Sequence, residues 1–149
     1  PEQLGGRYRW WAPWRYWQAG RKRDAPERTH GMQIDPVERL ITYHAAINAQ
    51  DFEAIEAFFA PDASYLSPGT GDVVGRDAIL AAFRAYFSTY PDQVAWDDRV
   101  EPAGPRAARA DWNIEATHAA SCARSLRRGI ETVSFVANGL IVEVRVEDR

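Results

Sequence analysis

TYHAAINAQDFEAIEAFFAPDASYLSPGTGDVVGRDAILAAF, residues 42–83, decides the fold because it places two helix signals before a short strand and a third helix signal after it. Asp51 can cap the second helix, and Pro61 ends it because proline disfavours helical backbone in the residue before it. The strand DASYLS stops at Pro68 and Gly69, a turn signal. The phrase GRDAIL then begins the next helix.

Three helices are expected, over about residues 36–49, 52–60 and 77–90. Asp35 can cap the first, Pro36 suits its first position, and Glu38 completes a capping box. Apolar side chains recur at steps of three and four, which predicts one buried stripe on each long helix. The first stripe holds Val37, Leu40, Ile41, His44, Ile47 and Asn48, and that of the third helix holds Ile79, Leu80, Phe83, Tyr86 and Phe87.

Four longer strands are predicted after the helices, in QVAWDDRVE, AARADWNIEATH, SLRRGIETVSFVA and LIVEVRVED. Their alternation of apolar and polar residues is typical of an antiparallel sheet with one covered face. Asn138 and Gly139 form a hairpin signal between the last two. The covered face is predicted to carry Trp96 with Asp98, Trp112 with His118, and Glu131 with Val133 and Phe135.

This order of elements predicts an α+β fold in which three N-terminal helices cover a curved antiparallel sheet. Such a sheet can curl into a cone. A cone closed by helices leaves an apolar pocket with a few polar groups, which is a usual site for a small molecule.

Composition narrows the class of protein. The chain has 149 residues, a single-domain length, and a net charge of −3 that does not favour nucleic acid as the main partner. One cysteine, Cys122, excludes a disulfide framework or a cysteine zinc site within the chain and fits a reducing compartment. No apolar run is long enough to span a membrane, and no secretory signal is present at the N-terminus, so we expect a cytoplasmic protein.

Residues 1–31 differ from the rest of the chain. They carry seven Arg and Lys against three Asp and Glu, whereas residues 32–149 carry eleven against eighteen. Four of the six tryptophans lie in this segment, and the first methionine follows it. We therefore expect a basic, Trp- and Arg-rich extension at residues 1–31 and a domain at residues 32–149. The extension could be dispensable, pack on its own domain or a partner subunit, or contact a membrane surface or single-stranded nucleic acid.

The stretch quoted above, with the four strands after it, resembles the nuclear-transport-factor-2-like superfamily, and within it the SnoaL-like and ketosteroid-isomerase-like branch. The phrases NAQDF, FAPDAS and GRDAI carry this resemblance over about residues 33–149. The resemblance implies the cone fold with a deep pocket and a homodimer formed through the sheet. It implies an isomerase, a cyclase, a dehydratase, an epoxide hydrolase or a plain binding domain, so the fold alone does not choose the function.

The resemblance to ketosteroid isomerase implies roles for individual residues. Tyr43 matches the tyrosine that donates a hydrogen bond to the oxyanion, and Glu131 matches the protonated acid beside it, which is aspartate in the relative. Ser67 stands where the relative has its general-base aspartate. A serine cannot take a carbon-bound proton unaided, so steroid isomerisation by the relative's mechanism is not expected.

Other groups could replace the missing base. Asp98 and His118 are predicted on the covered phases of their strands, where either could act as a base, although each could equally lie at the rim in water. His44 is expected as a packed core histidine, and a Tyr43–Glu131 hydrogen bond could be merely structural. The three histidines lie on separate elements without ligand spacing, so no metal is expected, and no cofactor is expected either.

We therefore expect a pocket for an apolar polyketide-, steroid- or terpenoid-like molecule, and acid–base chemistry if the protein is an enzyme. Tyr43, Glu131, His118 and Asp98 are the catalytic candidates. The alternative is a non-catalytic ligand-binding or dimerisation domain. The expected substrate-binding wall consists of Phe59, Tyr65, Ser67, Phe83, Trp96, Trp112, Val133 and Phe135.

Overall fold

The computed structural model describes Tyr8–Arg9 and residues 33–149. Apart from Tyr8–Arg9, the basic extension of residues 1–31 lies outside the described residues. Within these described residues there are three helices: α1 Pro36–Asn48, α2 Phe52–Phe58 and α3 Arg76–Thr89. The Asp35 carboxylate accepts hydrogen bonds from the backbone of Val37 and Glu38, as the capping signal predicts. Helix α2 ends two residues before the predicted limit, because the chain is already extended at Phe59.

In the part of the chain that the structure describes, seven strands form one sheet in the order β1-β4-β5-β6-β7-β2-β3. Their bounds are β1 Tyr8–Arg9, β2 Phe59–Ser67, β3 Gly71–Val74, β4 Val94–Gly104, β5 Ala107–Thr117, β6 Arg124–Phe135 and β7 Ile141–Asp148. All pairings are antiparallel except that of β2 with β7, which is parallel. The alternation of apolar and polar residues predicts strands but not which strands pair, so it does not predict the parallel pairing of β2 with β7. The expected α+β fold, three helices against a curved sheet, is confirmed.

The core lies between the helices and the inner face of the sheet. Its side chains come from the predicted helical stripes and from one face of each long strand. The largest fully buried side chains include Tyr43, Phe59, Leu40, Ile55, Ile79 and Ile141. Among residues 33–149, no helix is long and apolar enough to cross a membrane.

Strand β4 differs from the prediction at Asp98. Asp97 pairs with Trp112 and Arg99 pairs with Asp111, so Asp98 is an extra residue in β4, a β-bulge. The bulge reverses the alternation of the strand. Asp97, 1% exposed, points into the protein, and Asp98 is exposed. The expectation that Asp98 lies on the covered face is therefore wrong.

Candidate functional site

A cavity of about 230 Å³ lies between helix α3 and the inner faces of β2, β5, β6 and β7. Most of its wall is apolar or aromatic. Nine lining side chains carry polar atoms that are set into this mainly apolar surface, which is a usual arrangement in a small-molecule site. They belong to Tyr65, Ser67, Thr70, Tyr86, Tyr90, Gln93, Trp112, Arg127 and Glu131.

Glu131 connects this cavity to a buried chain of charged groups. The Glu131 Oε1 atom lies 2.6 Å from His44 Nε2, and the Asp97 Oδ2 atom lies 2.7 Å from His44 Nδ1. All three side chains are buried, and Glu131 lines the cavity. One imidazole therefore bridges two carboxylates that come from β4 and β6.

The two carboxylates determine the charge of His44. Burial lowers the pKa of the imidazole, but the charges of Asp97 and Glu131 and their hydrogen bonds outweigh it and raise the pKa of His44 to about 10. At neutral pH the ring is an imidazolium that donates from both nitrogens. It therefore fixes the orientation of Glu131, and the Glu131 Oε2 atom has no hydrogen-bond partner within residues 33–149.

Two tyrosines lie near Glu131 in different surroundings. Tyr43 is fully buried among Phe58, Phe59 and His44, and its hydroxyl has no hydrogen-bond partner in the described part of the chain. Tyr65 lines the cavity. Burial and the charge of Glu131 raise the pKa of both phenols, so both stay protonated. Of these two tyrosines, Tyr65 is the one that lines the cavity and can present its hydroxyl to a ligand there.

Trp112 and Arg127 form the outer part of the cavity wall. A Cβ atom at Gly129 would lie 2.5 Å from Trp112 Cζ2, so the indole fills the space that glycine leaves on β6. The Arg127 guanidinium carbon lies 5.7 Å from the centre of the Trp112 ring, and Arg127 Nη2 pairs with Asp148 at 2.9 Å. The cavity thus has an aromatic wall with a cation at its outer end.

The structure brings five of the predicted site residues to the cavity. These are Tyr65, Ser67, Phe83, Trp112 and Glu131. Ser67 lies at the end of β2, and its Oγ accepts a hydrogen bond from the backbone of Gly69. Phe59, Val133 and Phe135 lie in the core instead, because helix α1 packs against that part of the molecule.

The remaining predicted residues lie elsewhere. Trp96 borders a second cavity of about 470 Å³ around Leu126 and Arg128. His118 lies at the rim, where its Nδ1 accepts backbone hydrogen bonds from Ala120 and Ser121.

Asp98 and Tyr43 are also away from the cavity. Asp98 is exposed and accepts a hydrogen bond from the Asn113 amide. Tyr43 does not hydrogen bond to Glu131, so the predicted pair does not form.

The sequence alone does not place His44 between Asp97 and Glu131. The helical stripe predicts a packed core histidine, although a histidine on an apolar stripe opposite an inward-facing glutamate is a signal for a buried pair. Asp97 could not be found by alternation, because the bulge at Asp98 reverses the pattern. Within residues 33–149, no group of His, Cys, Asp or Glu is arranged to hold a metal ion.

These features define a class of protein: a helix-covered curved sheet that encloses a small, mainly apolar cavity with a carboxylate in its wall. The family model of the SnoaL-like domain matches residues 40–144, most of the chain. The chain belongs to this family.

Solved structures share the fold at low sequence identity. RV0760c from Mycobacterium tuberculosis, in complex with estradiol-17beta-hemisuccinate, is 18% identical with a TM-score of 0.67, over 74% of this chain and 91% of that one. SalBIII, an epoxide hydrolase/cyclase-like enzyme with a role in pyran ring formation in the polyether salinomycin, is 17% identical with a TM-score of 0.67, over 75% and 88%.

A computationally designed 17-OHP binder is 18% identical with a TM-score of 0.66, over 75% of this chain and 91% of that one. The comparison with curated proteins finds no significant match.

Proposed function

We propose that this SnoaL-like protein is a cofactor-independent acid–base enzyme that removes a proton from a carbon next to a carbonyl group in a small apolar molecule. The observation that carries the proposal is the buried Asp97–His44–Glu131 chain, which ends at the cavity. Glu131 is the proposed base. His44 and Asp97 are positioning residues, because neither lines the cavity.

Glu131 meets the geometric requirement for a base. One oxygen is held by the His44 imidazolium at 2.6 Å, so the side chain cannot rotate freely, and the second oxygen remains available to a ligand. Proton transfer by a positioned carboxylate of this kind contributes about 10²–10⁴-fold to a rate. A buried pair that only stabilised the fold would not need to lie at a cavity wall.

Tyr65 supplies a hydrogen-bond donor for the oxygen on which negative charge develops. When Glu131 takes the proton, the C–H bond breaks, its electron pair moves into a new C=C bond, and the carbonyl oxygen becomes an enolate oxygen. The protonated Tyr65 hydroxyl can donate a hydrogen bond to that oxygen, where negative charge develops. Return of the proton at another carbon gives isomerisation, attack of the enolate on an internal electrophile gives cyclisation, and loss of a β-hydroxyl gives dehydration.

Apolar walls support an apolar substrate. RV0760c was solved in complex with a steroid derivative, and the designed protein binds 17-OHP. SalBIII has a role in pyran ring formation in a polyether. These proteins show how this fold can be used, and for this chain a polyketide-, steroid- or terpenoid-like carbonyl compound is the proposed substrate class.

Hydrogen–deuterium exchange tests the proposal without knowledge of the natural substrate. The ketone 2-tetralone is flat, apolar and enolisable, and its α-proton signals fade in D₂O as exchange proceeds. We expect the wild type to accelerate this loss and Glu131→Gln to reduce the acceleration by about 100-fold or more. Glu147→Gln, an exposed change on β7, is the matched control and should keep the wild-type rate.

The alternative is a non-catalytic binding domain. It is favoured by Ser67, which stands where ketosteroid isomerase has its general-base aspartate. That alternative predicts binding of 2-tetralone with no exchange above the rate in buffer. Equal exchange rates for the wild type and Glu131→Gln would also contradict the proposed role of Glu131.

We also propose that two copies pair through the outer face of the sheet. Val94 and Leu126 flank Glu115 on this face and are 40% and 69% exposed. Light scattering should give a dimer mass that Leu126→Glu lowers to that of a monomer. Val74→Glu, a change at an equally exposed apolar residue of β3, should leave the dimer intact.

Two further expectations belong with this proposal. A cytoplasmic location agrees with the use of a single cysteine. The division into an extension at residues 1–31 and a domain at 32–149 agrees with the family match at residues 40–144. Localisation of a tagged full-length chain and of residues 32–149 would test both.

A further inference from the structure

Arg127 and Glu131 mark the two ends of the cavity on one strand. They are four residues apart on β6, so their side chains leave the same face, about 13 Å apart along the strand. Gly129 lies between them, and Trp112 covers it. The inner face of β6 therefore presents a cation, then an aromatic surface, then a carboxylate.

The Arg127 guanidinium is available to a ligand. Its side chain is 32% exposed, against 7% for Glu131, so it lies at the outer end of the cavity. Only its Nη2 atom bonds to Asp148, and the Tyr86 hydroxyl is a further hydrogen-bond partner. No second carboxylate within residues 33–149 pairs with it. N–H groups of the planar fork therefore remain for a ligand oxygen.

We propose that the ligand is a flat apolar carboxylic acid, with its rings on Trp112, its carboxylate on Arg127 and its reacting carbon near Glu131. The position of the reacting carbon rests on the proposed function. A guanidinium binds a carboxylate through two parallel hydrogen bonds, which fixes orientation as well as affinity. The negative charge of Glu131 repels an acid group at the inner end, so the ligand has one favourable direction.

The size of the cavity narrows the class of ligand. Its volume of about 230 Å³ lies below the roughly 300–1,000 Å³ of common drug-sized sites. Tyr65 and Phe83 both line it and pack edge to face, with ring centres 5.5 Å apart, so this aromatic pair closes part of its wall. Within the proposed substrate class, the cavity therefore favours a compact acid with about two fused rings over a four-ring, steroid-sized molecule.

Calorimetry with two probes of the same shape tests the inference. The acid 2-naphthoate and the uncharged 2-naphthamide are each titrated into the full chain at pH 7. We expect the acid to bind about 10- to 100-fold more tightly, the effect of one charge-assisted contact. Arg127→Gln should abolish this preference, and Arg127→Lys should keep part of it. Arg128→Gln, on the opposite face of β6, is the control and should keep all of it.

The outcomes separate this inference from the proposed function. Equal binding of both probes, a preference that survives in Arg127→Gln, or no binding of either probe overturns the inference. If the protein exchanges 2-tetralone but does not prefer the acid, the proposed function stands and the inference about the acid fails. If the protein prefers the acid but does not exchange 2-tetralone, the inference about the acid stands and the proposed function fails. Near-ultraviolet circular dichroism of each variant confirms that the binding change is not a loss of the fold.

Discussion

The charge state of His44 makes the stability of the protein depend on pH in a predictable direction. The pKa of His44 is raised from 6.5 to about 10 in the folded protein by Asp97 and Glu131, against the opposing effect of burial. A raised folded pKa means that the stabilisation is fully present below pH 6.5 and is lost as the pH rises through about 10.

The magnitude follows from one proton. Between those two pKa values the folded protein holds about one proton more than the unfolded chain, so the free energy of unfolding falls by about 1.4 kcal/mol per pH unit. From pH 7 to pH 9 the expected loss is about 3 kcal/mol, a large part of the stability of a small domain.

Urea denaturation at pH 7, 8 and 9 measures this slope. His44→Gln removes the titrating group, and it should lower the free energy of unfolding at pH 7 by about 3–5 kcal/mol, because it breaks buried ion pairs. The difference between the wild type and this variant should shrink as the pH rises. His118→Gln, a change at a half-buried histidine outside the Asp97–His44–Glu131 chain, should retain the wild-type slope.

The same reasoning can be tested without a variant. Nuclear magnetic resonance of the wild type should show the His44 ring unchanged between pH 6 and pH 9, with both nitrogens protonated. A ring that titrates near pH 6.5, or a constant stability difference between the wild type and His44→Gln across this range, would refute the account of the buried chain.

Three substitutions test the rest of the site. Tyr43→Phe should change stability by less than about 1 kcal/mol and leave 2-tetralone exchange unchanged, since the hydroxyl lacks a partner among the described residues; a large loss of exchange would restore its predicted catalytic role. Gly129→Ala should lower the free energy of unfolding by about 1–3 kcal/mol and shift tryptophan fluorescence, because its Cβ would meet Trp112 and the backbone; an unchanged melting temperature contradicts this packing. Asp98→Asn should keep the exchange rate, and a loss would place the base at the bulge.

The helices and strands could be predicted because their signals are local. Asp35 and Pro36 begin α1 where the sequence indicates, and the alternation of β5 and β6 correctly places Trp112 and Glu131 on the covered face. These signals depend only on the period of a helix or a strand, so no knowledge of the tertiary structure is needed.

The contacts of the site could not be predicted in the same way. One extra residue at Asp98 exchanges the inward and outward carboxylates of β4, and a bulge has no sequence pattern of its own. Tyr43 and His44 are adjacent and both buried. Which of them meets Glu131 depends on how α1 lies across the sheet, and the helical period does not give that orientation.

A crystal structure with 2-naphthol would test the central claim most directly, because this molecule has the shape of the enol of 2-tetralone. The account predicts the naphthol ring in the cavity against Trp112, with its oxygen within hydrogen-bond distance of the Tyr65 hydroxyl and its neighbouring ring carbon facing Glu131. A naphthol outside the cavity, or one whose oxygen points away from both groups, would contradict it.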